Sequence, residues 1–390
     1  MSASTVPLQF VLKVAARCNL NCSYCYVYNK GDDSWRRRPP FMSQRTFESA
    51  LSRVVRHCKA SRQPSVQVIF HGGEPTLIGV DIFERWCRQL HTELDPITRL
   101  QVAIQTNGTR IDADWCRVWT EQGVDVGVSI DGPESVHNRF RVDHGGHGSY
   151  AQVLEGIDQM HDASIPIQLL SVVQPGTDGA ALHDHLCSLR PMAISYLLPD
   201  HTHESVQMVR TRWGKTPCAD VLLPAFAAWL QSGFGEVHVP LFLSVLQLIM
   251  GGESELDLLG NHALRFLFVE TDGEIEALDV LRVCGHGFAA TGLNIERHDF
   301  HEVAQNPLQR VAVFDGPPLP PDCRPCPEST TCAGGYLPHR FSRENGLSNR
   351  SVWCDDLLAL FDFARGQLNV DVEETALRRR ALVELGRRSA

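Results

Sequence analysis

The 390-residue chain has no long apolar run, no excess of positive charge and no low-complexity tract, and each absence removes a class of protein. Its longest apolar stretches, 221–230 and 239–250, fall short of the roughly 20 residues a membrane helix needs. They carry Pro224 and Pro240 near their starts and read as buried helices, so no membrane partner is expected. The opening MSASTVPLQF lacks a basic segment followed by an apolar one, which argues against a secretory signal and for a cytoplasmic protein. Lys+Arg number 36 against 46 Asp+Glu, a formal charge of -10, so the basic surface required for sequence-independent nucleic-acid binding is missing. With 30 Gly and 22 Pro the chain is not collagen-like, and 43% hydrophobic against 21% charged residues is the balance of a globular protein with an ample core.

What the chain does have is cysteine, 13 residues of it. Without a secretion signal these are expected as thiols, so tight clusters point to metal rather than disulfides. Apolar, β-branched runs recur at 8–14, 66–70, 101–105, 125–130, 167–173 and 193–198. Helically spaced segments lie between them at 43–58, 81–94, 112–122, 149–162 and 179–189. Strand-helix alternation of this kind predicts a parallel sheet with right-handed crossovers, whose ligand sites lie at the carboxyl ends of the strands. Beyond about residue 200 it gives way to helices (219–232 and 241–250) and then to a Gly-, Pro- and Cys-rich stretch. The tail, 371–388, places acids first and bases last, as a helix dipole favours. The boundaries expected are 1–215 for the barrel, 216–265 for a helical linker, 266–356 for a cluster module and 357–390 for a helical tail.

Directly after the first strand stands Cys18-Asn-Leu-Asn-Cys22-Ser-Tyr24-Cys25. Three thiols gather around one centre. Structural zinc normally takes four protein ligands, whereas three cysteines on a [4Fe–4S] cluster leave one iron open to another ligand. This CxxxCxxC loop resembles the signature of the radical S-adenosylmethionine (SAM) superfamily. His71-Gly72-Gly73-Glu74-Pro75 after the second strand resembles the family's GGE motif, which implies that Tyr24, His71, Gly72, Gly73 and Glu74 lie at the SAM site. Ser129, after the fourth strand, would bind the ribose and Arg141 the carboxylate, a role a guanidinium fork suits. The resemblance implies a partial (β/α)6, TIM-like barrel and reductive cleavage of SAM to a 5′-deoxyadenosyl radical, with flavodoxin or ferredoxin as the electron donor.

A second group, Cys323, Cys326, Cys332 and Cys354, sits downstream, and its spacing suits a zinc ion held by four thiolates or a fully ligated iron–sulfur cluster. Beside the first motif it resembles a C-terminal SPASM-like module, whose outer auxiliary [4Fe–4S] cluster these four would hold. Positions where that pattern places further cysteines carry Tyr336, Arg297 and Asp279, with Cys284 offset, so the inner auxiliary cluster is expected to be absent or unusually ligated. The remaining cysteines, Cys58, Cys87, Cys116, Cys187 and Cys218, read as small core residues, and His201 and His203 as loop residues.

The stretch from Cys332 to Ser342, with Asn345, Gly346, Asn349, Val352 and Trp353, and the segment 197–203, resemble cyclophane-forming maturases of ribosomal peptides. The primary expectation is accordingly a C–C cross-link in a precursor peptide between an aromatic ring carbon and a side-chain β-carbon. The alternatives are the anaerobic sulfatase maturases, which make formylglycine, and a non-catalytic iron–sulfur redox sensor. Asp200 and Asp279 are the candidate proton acceptors. No separate leader-binding module fits before the first strand, so recognition is expected to fall to the barrel face, the C-terminal module or a separate leader-recognition protein.

Overall fold

The computed structural model describes residues 8–388 except 234–235, 255, 261–264 and 277. In chain order the elements are β1 (Gln9–Ala15), α1 (Gln44–Ser61), β2 (Ser65–Gly72), α2 (Val80–Leu94), β3 (Arg99–Thr106), α3 (Ala113–Gln122), β4 (Val124–Ser129), α4 (Glu134–Phe140), α5 (Tyr150–Asp162), β5 (Ile167–Val172), α6 (Gly179–Ser188) and β6 (Ala193–Leu197). They continue with α7 (Val206–Trp213), α8 (Ala219–Gln231), α9 (Pro240–Ile249), β7 (Phe266–Val269), β8 (Ile275–Glu276), the single-turn α10 (Pro307–Arg310), α11 (Cys354–Leu368) and α12 (Val372–Arg388). All six strands and all five interleaved helices read from the sequence are present, with ends shifted by a few residues. No described helix is long and apolar enough to cross a membrane.

Local chemistry sets these elements. Ser43 caps α1 by accepting from the Thr46 N–H, and the helix turns Phe47, Ala50, Leu51, Val54 and Cys58 inward. Asp112 caps α3, which stops at Gly123 in the left-handed region at φ 61°. Phe47 stacks on Trp86 of α2 at 4.5 Å, so the two helices share one apolar seam. In β1 the run Phe10, Val11, Leu12, Val14 and Ala15 is buried, as a strand of a covered parallel sheet should be.

The chain divides into two compact units, and the division differs from the boundaries expected from composition. The first unit comprises Met1–Leu170 and Arg265–Asp315. Its strand order is β5-β4-β3-β2-β1-β7-β8, parallel through β7, with β8 antiparallel. The segment 266–356 therefore does not act as one module: its first part joins the barrel sheet because β7 pairs with β1, Gln9 facing Phe266 and Leu12 facing Val269. A four-residue strand is too short for sequence periodicity to reveal.

The second unit comprises Ser171–Leu264 and Gly316–Ala390, so the expected linker 216–265 belongs to a folded body of its own. Phe226 of α8 stacks on Phe242 of α9 at 4.2 Å. Asp356, at the start of α11, accepts from the Cys218 and Ala219 N–H groups at 2.7 and 2.8 Å and so caps α8. Pro224 is accommodated inside that helix.

Candidate active site

The first cysteine loop leaves the carboxyl end of β1 in the first unit, as expected for a ligand site of this topology. Cys25 N–H donates to the Cys22 carbonyl at 3.0 Å, and Asn29 Nδ2 to the same carbonyl at 2.8 Å. Leu20 N–H points at Cys18 Sγ, 3.4 Å away, and Asn107 Nδ2 at the same sulfur, 3.8 Å away. Burial pushes the Cys18 thiol up to about 12, with Glu74 adding to the rise, and burial raises Cys22 and Cys25 as well. A bound metal must displace those protons.

Donor spacing tests which metal the thiols suit. Among the described residues, three His, Cys, Asp or Glu donors approach within 4.8 Å of one another only at Asp32, Asp33 and His286. Neither cysteine group is drawn into the roughly 3.8 Å sulfur–sulfur spacing that a Zn–S bond of about 2.3 Å imposes on a tetrahedron. Three thiols on the first loop leave a tetrahedral zinc one protein ligand short and suit an iron–sulfur cube with one open iron, whereas the four thiols of the second group fit either centre.

Around the loop the structure places the predicted SAM residues in one unit. Gly72 has φ +138°, and a Cβ there would lie 2.2 Å from the Ala15 carbonyl oxygen. A Cβ on Gly73 would lie 2.0 Å from the Tyr28 hydroxyl, so only glycine allows this approach. Gly73 and Glu74 spend their N–H groups on the carbonyls of Ala15 and Arg17. His71, driven down to about 4 by burial, is neutral, and its Nδ1 is buried with no hydrogen-bond partner. Ser129 Oγ, at the end of β4, accepts from Gln105 Nε2 at 3.0 Å. Arg141 is 7% exposed; its Nη1 donates to the Tyr24 hydroxyl at 2.7 Å, while its Nε is buried with no hydrogen-bond partner. An unmatched guanidinium donor fits a carboxylate ligand, the group SAM would bring.

Glu74 departs from expectation. Its side chain is 0% exposed and accepts from the Thr76 N–H and hydroxyl, the Thr106 hydroxyl and the Asn107 N–H, at 2.7–3.0 Å. That carboxylate ties the loop after β2 to the loop after β3 and is closed to a ligand.

Sequence reasoning missed Lys13. It is the one charged residue in the buried run of β1, and a charge so placed needs partners. Its Nζ lies 2.5 Å from Asp279 Oδ2 and 3.1 Å from Glu270 Oε1, and the Tyr26 hydroxyl donates to Asp279 at 2.6 Å. Burial alone would raise the Asp279 carboxyl, but the Lys13 charge and the hydrogen bonds from Lys13 and Tyr26 outweigh it and hold the group below the usual carboxylate range. Asp279 is thus an ionised buried acceptor. Arg282 extends the network to Asp32, Glu270 and Glu276 at 2.6–2.8 Å, and Arg38 contacts Glu270 and Glu276 at 2.7 and 2.8 Å.

In the second unit Cys323, Cys326, Cys332 and Cys354 converge. Burial pushes Cys332 up to about 12, and Cys354 and Cys323 lie near enough to add to the rise. Arg340, buried beside them, clamps the loop after Cys332 by donating to the carbonyls of Ala333 and Gly335. The Tyr336 hydroxyl hydrogen-bonds Asp257. The Tyr336 ring meets His339 edge-on at 5.1 Å, and His339 Nε2 lies 3.2 Å from Asp200. Asp200 therefore belongs to this unit and Asp279 to the other. Arg297 is exposed. Cys58, Cys87, Cys116 and Cys218 are buried, and Cys187 meets His183 at 3.5 Å. His201 contacts Ser205, and His203 contacts the Arg350 carbonyl.

Residues 12–186 match the family model of the Radical SAM superfamily. The chain is 29% identical over 226 residues to the serine-type anaerobic sulfatase-maturating enzyme of Klebsiella aerogenes, covering 54% of this chain and about half, 53%, of that relative. It is 24% identical over 374 residues to the cysteine-type anaerobic sulfatase-maturating enzyme of Clostridium perfringens, covering 92% of this chain and 96% of that one. Among solved structures it resembles native anSMEcpe with bound AdoMet, with a TM-score of 0.77 at 21% identity, covering 93% of this chain and 98% of that one. It also resembles Streptococcus suis SuiB bound to its precursor peptide SuiA, with a TM-score of 0.60 at 14% identity, covering 90% and 76%. The chain has the radical SAM fold and is a radical SAM enzyme of the oxidoreductase type. The cyclophane expectation is overturned: sulfatase-maturating enzymes align with the chain, two of them over 92% of it and a third over 86%.

Proposed function

We propose that this radical SAM enzyme oxidises a serine or cysteine side chain of a peptide or protein substrate to formylglycine. The carrying observation is the relationship to a sulfatase-maturating enzyme that runs through both units of the chain. Cys18, Cys22 and Cys25 would hold the cluster that binds SAM, and Gly72, Gly73, Ser129 and Arg141 would receive the SAM itself. When bound, these cofactors supply a 5′-deoxyadenosyl radical that removes one hydrogen atom from the substrate β-carbon. An electron donor such as flavodoxin or ferredoxin supplies the reducing electron.

The protein's share is the remainder of the two-electron balance. After the β-hydrogen leaves, the substrate must lose one proton from oxygen or sulfur and one electron to reach the carbonyl or thiocarbonyl state. Asp279 is the proton acceptor: it is ionised, buried and aligned by Lys13 and Tyr26. Asp200, which pairs with His339, is the second candidate. Cys323, Cys326, Cys332 and Cys354 would hold an auxiliary cluster with the capacity to accept the electron. For a cysteine substrate, water then replaces sulfur and sulfide departs. The leader-recognition partner belonged to the cross-linking expectation, and this chemistry does not require it.

The inner auxiliary cluster is absent in this reading. Tyr336 spends its hydroxyl on Asp257, Asp279 is bound into the Lys13 network, and Arg297 offers no thiolate. Iron and acid-labile sulfide after anaerobic reconstitution should therefore come to about 8 per chain. About 12 would restore the third cluster, and about 4 would remove the auxiliary one.

The test of function is incubation with SAM, dithionite and peptides carrying Ser or Cys in a sulfatase-type context. Mass spectrometry and hydrazide capture should show an aldehyde on one of them, with 5′-deoxyadenosine released. Release without any aldehyde on either peptide would overturn the assignment.

A further inference from the structure

Five residues of the first unit close a ring of hydrogen bonds that passes through the cluster loop. Tyr24, between Cys22 and Cys25, donates its hydroxyl to Asp131 Oδ2 at 2.5 Å and accepts from Arg141 Nη1 at 2.7 Å. The Arg141 carbonyl accepts from the Ser149 hydroxyl at 2.9 Å and from the Ser149 N–H at 3.2 Å. Ser149 Oγ lies 2.9 Å from His137 Nε2, and the Asp131 N–H donates to His137 Nδ1 at 3.4 Å. The ring returns to its start at Asp131. Asp131, His137, Arg141 and Ser149 are all buried.

Donor counting fixes every direction. Ser149 has one hydroxyl proton and gives it to the Arg141 carbonyl, so its oxygen must accept from His137 Nε2–H. His137 is then neutral, with Nδ1 bare to take the Asp131 N–H. The result is a one-way chain in which each link depends on the next. It holds Arg141 at two points, its carbonyl and its Nη1, and leaves Nε buried with no hydrogen-bond partner. A phenol stands between Asp131 and Arg141, so the carboxylate steadies the guanidinium without taking the face on which an incoming carboxylate would bind.

We infer that His137, Ser149 and Tyr24 are positioning residues that preset Arg141 for the SAM carboxylate and lock that grip to the cluster loop. This rests on the reading of Arg141 as a SAM ligand. His137 lies in α4 and Ser149 immediately precedes α5, and neither is among the site residues the sequence singles out.

The test uses the reconstituted full chain with Ser149→Ala, Ser149→Thr and Tyr24→Phe. SAM affinity is measured by equilibrium dialysis, and the reduced cluster is followed by EPR with and without SAM. We expect Ser149→Ala and Tyr24→Phe each to weaken SAM binding roughly 10-fold. Their SAM-induced EPR change should shrink, while their iron content and SAM-free spectrum stay at wild type. Ser149→Thr, which keeps the hydroxyl, should restore both readouts; if one truncated variant loses its cluster, the other carries the test. Wild-type affinity and an unchanged SAM-induced spectrum in Ser149→Ala and Tyr24→Phe would overturn the positioning role and leave the SAM reading intact. Failure of the wild-type enzyme itself to bind SAM would remove the reading on which the ring rests.

Discussion

Asp279→Asn is expected to lower aldehyde formation by roughly a hundred- to ten-thousand-fold, the usual contribution of a positioned proton acceptor. SAM cleavage should continue, because the three cluster cysteines and Arg141 make no contact with Asp279 and Asn can still accept from Tyr26, so 5′-deoxyadenosine release would become uncoupled from product. The effect is large because the native carboxylate is held ionised: Lys13 lies 2.5 Å away and the Tyr26 hydroxyl 2.6 Å away. Asn keeps the shape and can still accept from Tyr26, but it cannot take a proton. The substitution leaves Lys13 with Glu270 as its remaining charged partner among those described, so iron content and thermal midpoint should be recorded alongside. Unchanged coupling between cleavage and aldehyde would exclude Asp279 as the acceptor and turn attention to Asp200.

Cys22→Ala should abolish 5′-deoxyadenosine release and reduce iron by about 4 per chain, leaving the iron held by the second group of cysteines in place. Loss of one of three thiolates would remove the cluster, and with it the group that would pass the donor's electron to SAM. The comparison that isolates the effect is Cys58→Ala, which removes a buried thiol of α1 that lies outside both groups. It should retain its iron and its SAM cleavage. Persistent 5′-deoxyadenosine release from Cys22→Ala would show that the cluster is held elsewhere.

Much of the fold was legible because its signals are local. Six apolar runs interleaved with five helical spacings predicted β1–β6 and five of the six helices between them, the short α4 being missed. Cysteine spacing likewise picked out both thiol groups. What failed was long range. β7 and β8 are too short to announce themselves, so residues 265–315 read as part of a downstream module when they complete the sheet of the first unit. The cross-linking expectation failed for a related reason: it weighed short motifs around Cys332 and Cys354 over the relationship that extends along the chain.

The site divides in the same way. The sequence by itself determined that three thiols follow β1, that Gly72 and Gly73 follow β2, and that four more thiols lie near the end, because each set is a spacing within a short stretch of chain. Only the tertiary structure decided what those loops meet. Tyr26 reaches Asp279 across 253 positions, Tyr24 reaches Asp131 across 107, and Glu74 proved to be a sealed anchor between loops rather than a ligand-facing acid. The physical reason is that a buried charge or hydroxyl is stable only with its partners in place, and the parallel sheet brings those partners together from strand ends far apart in the chain.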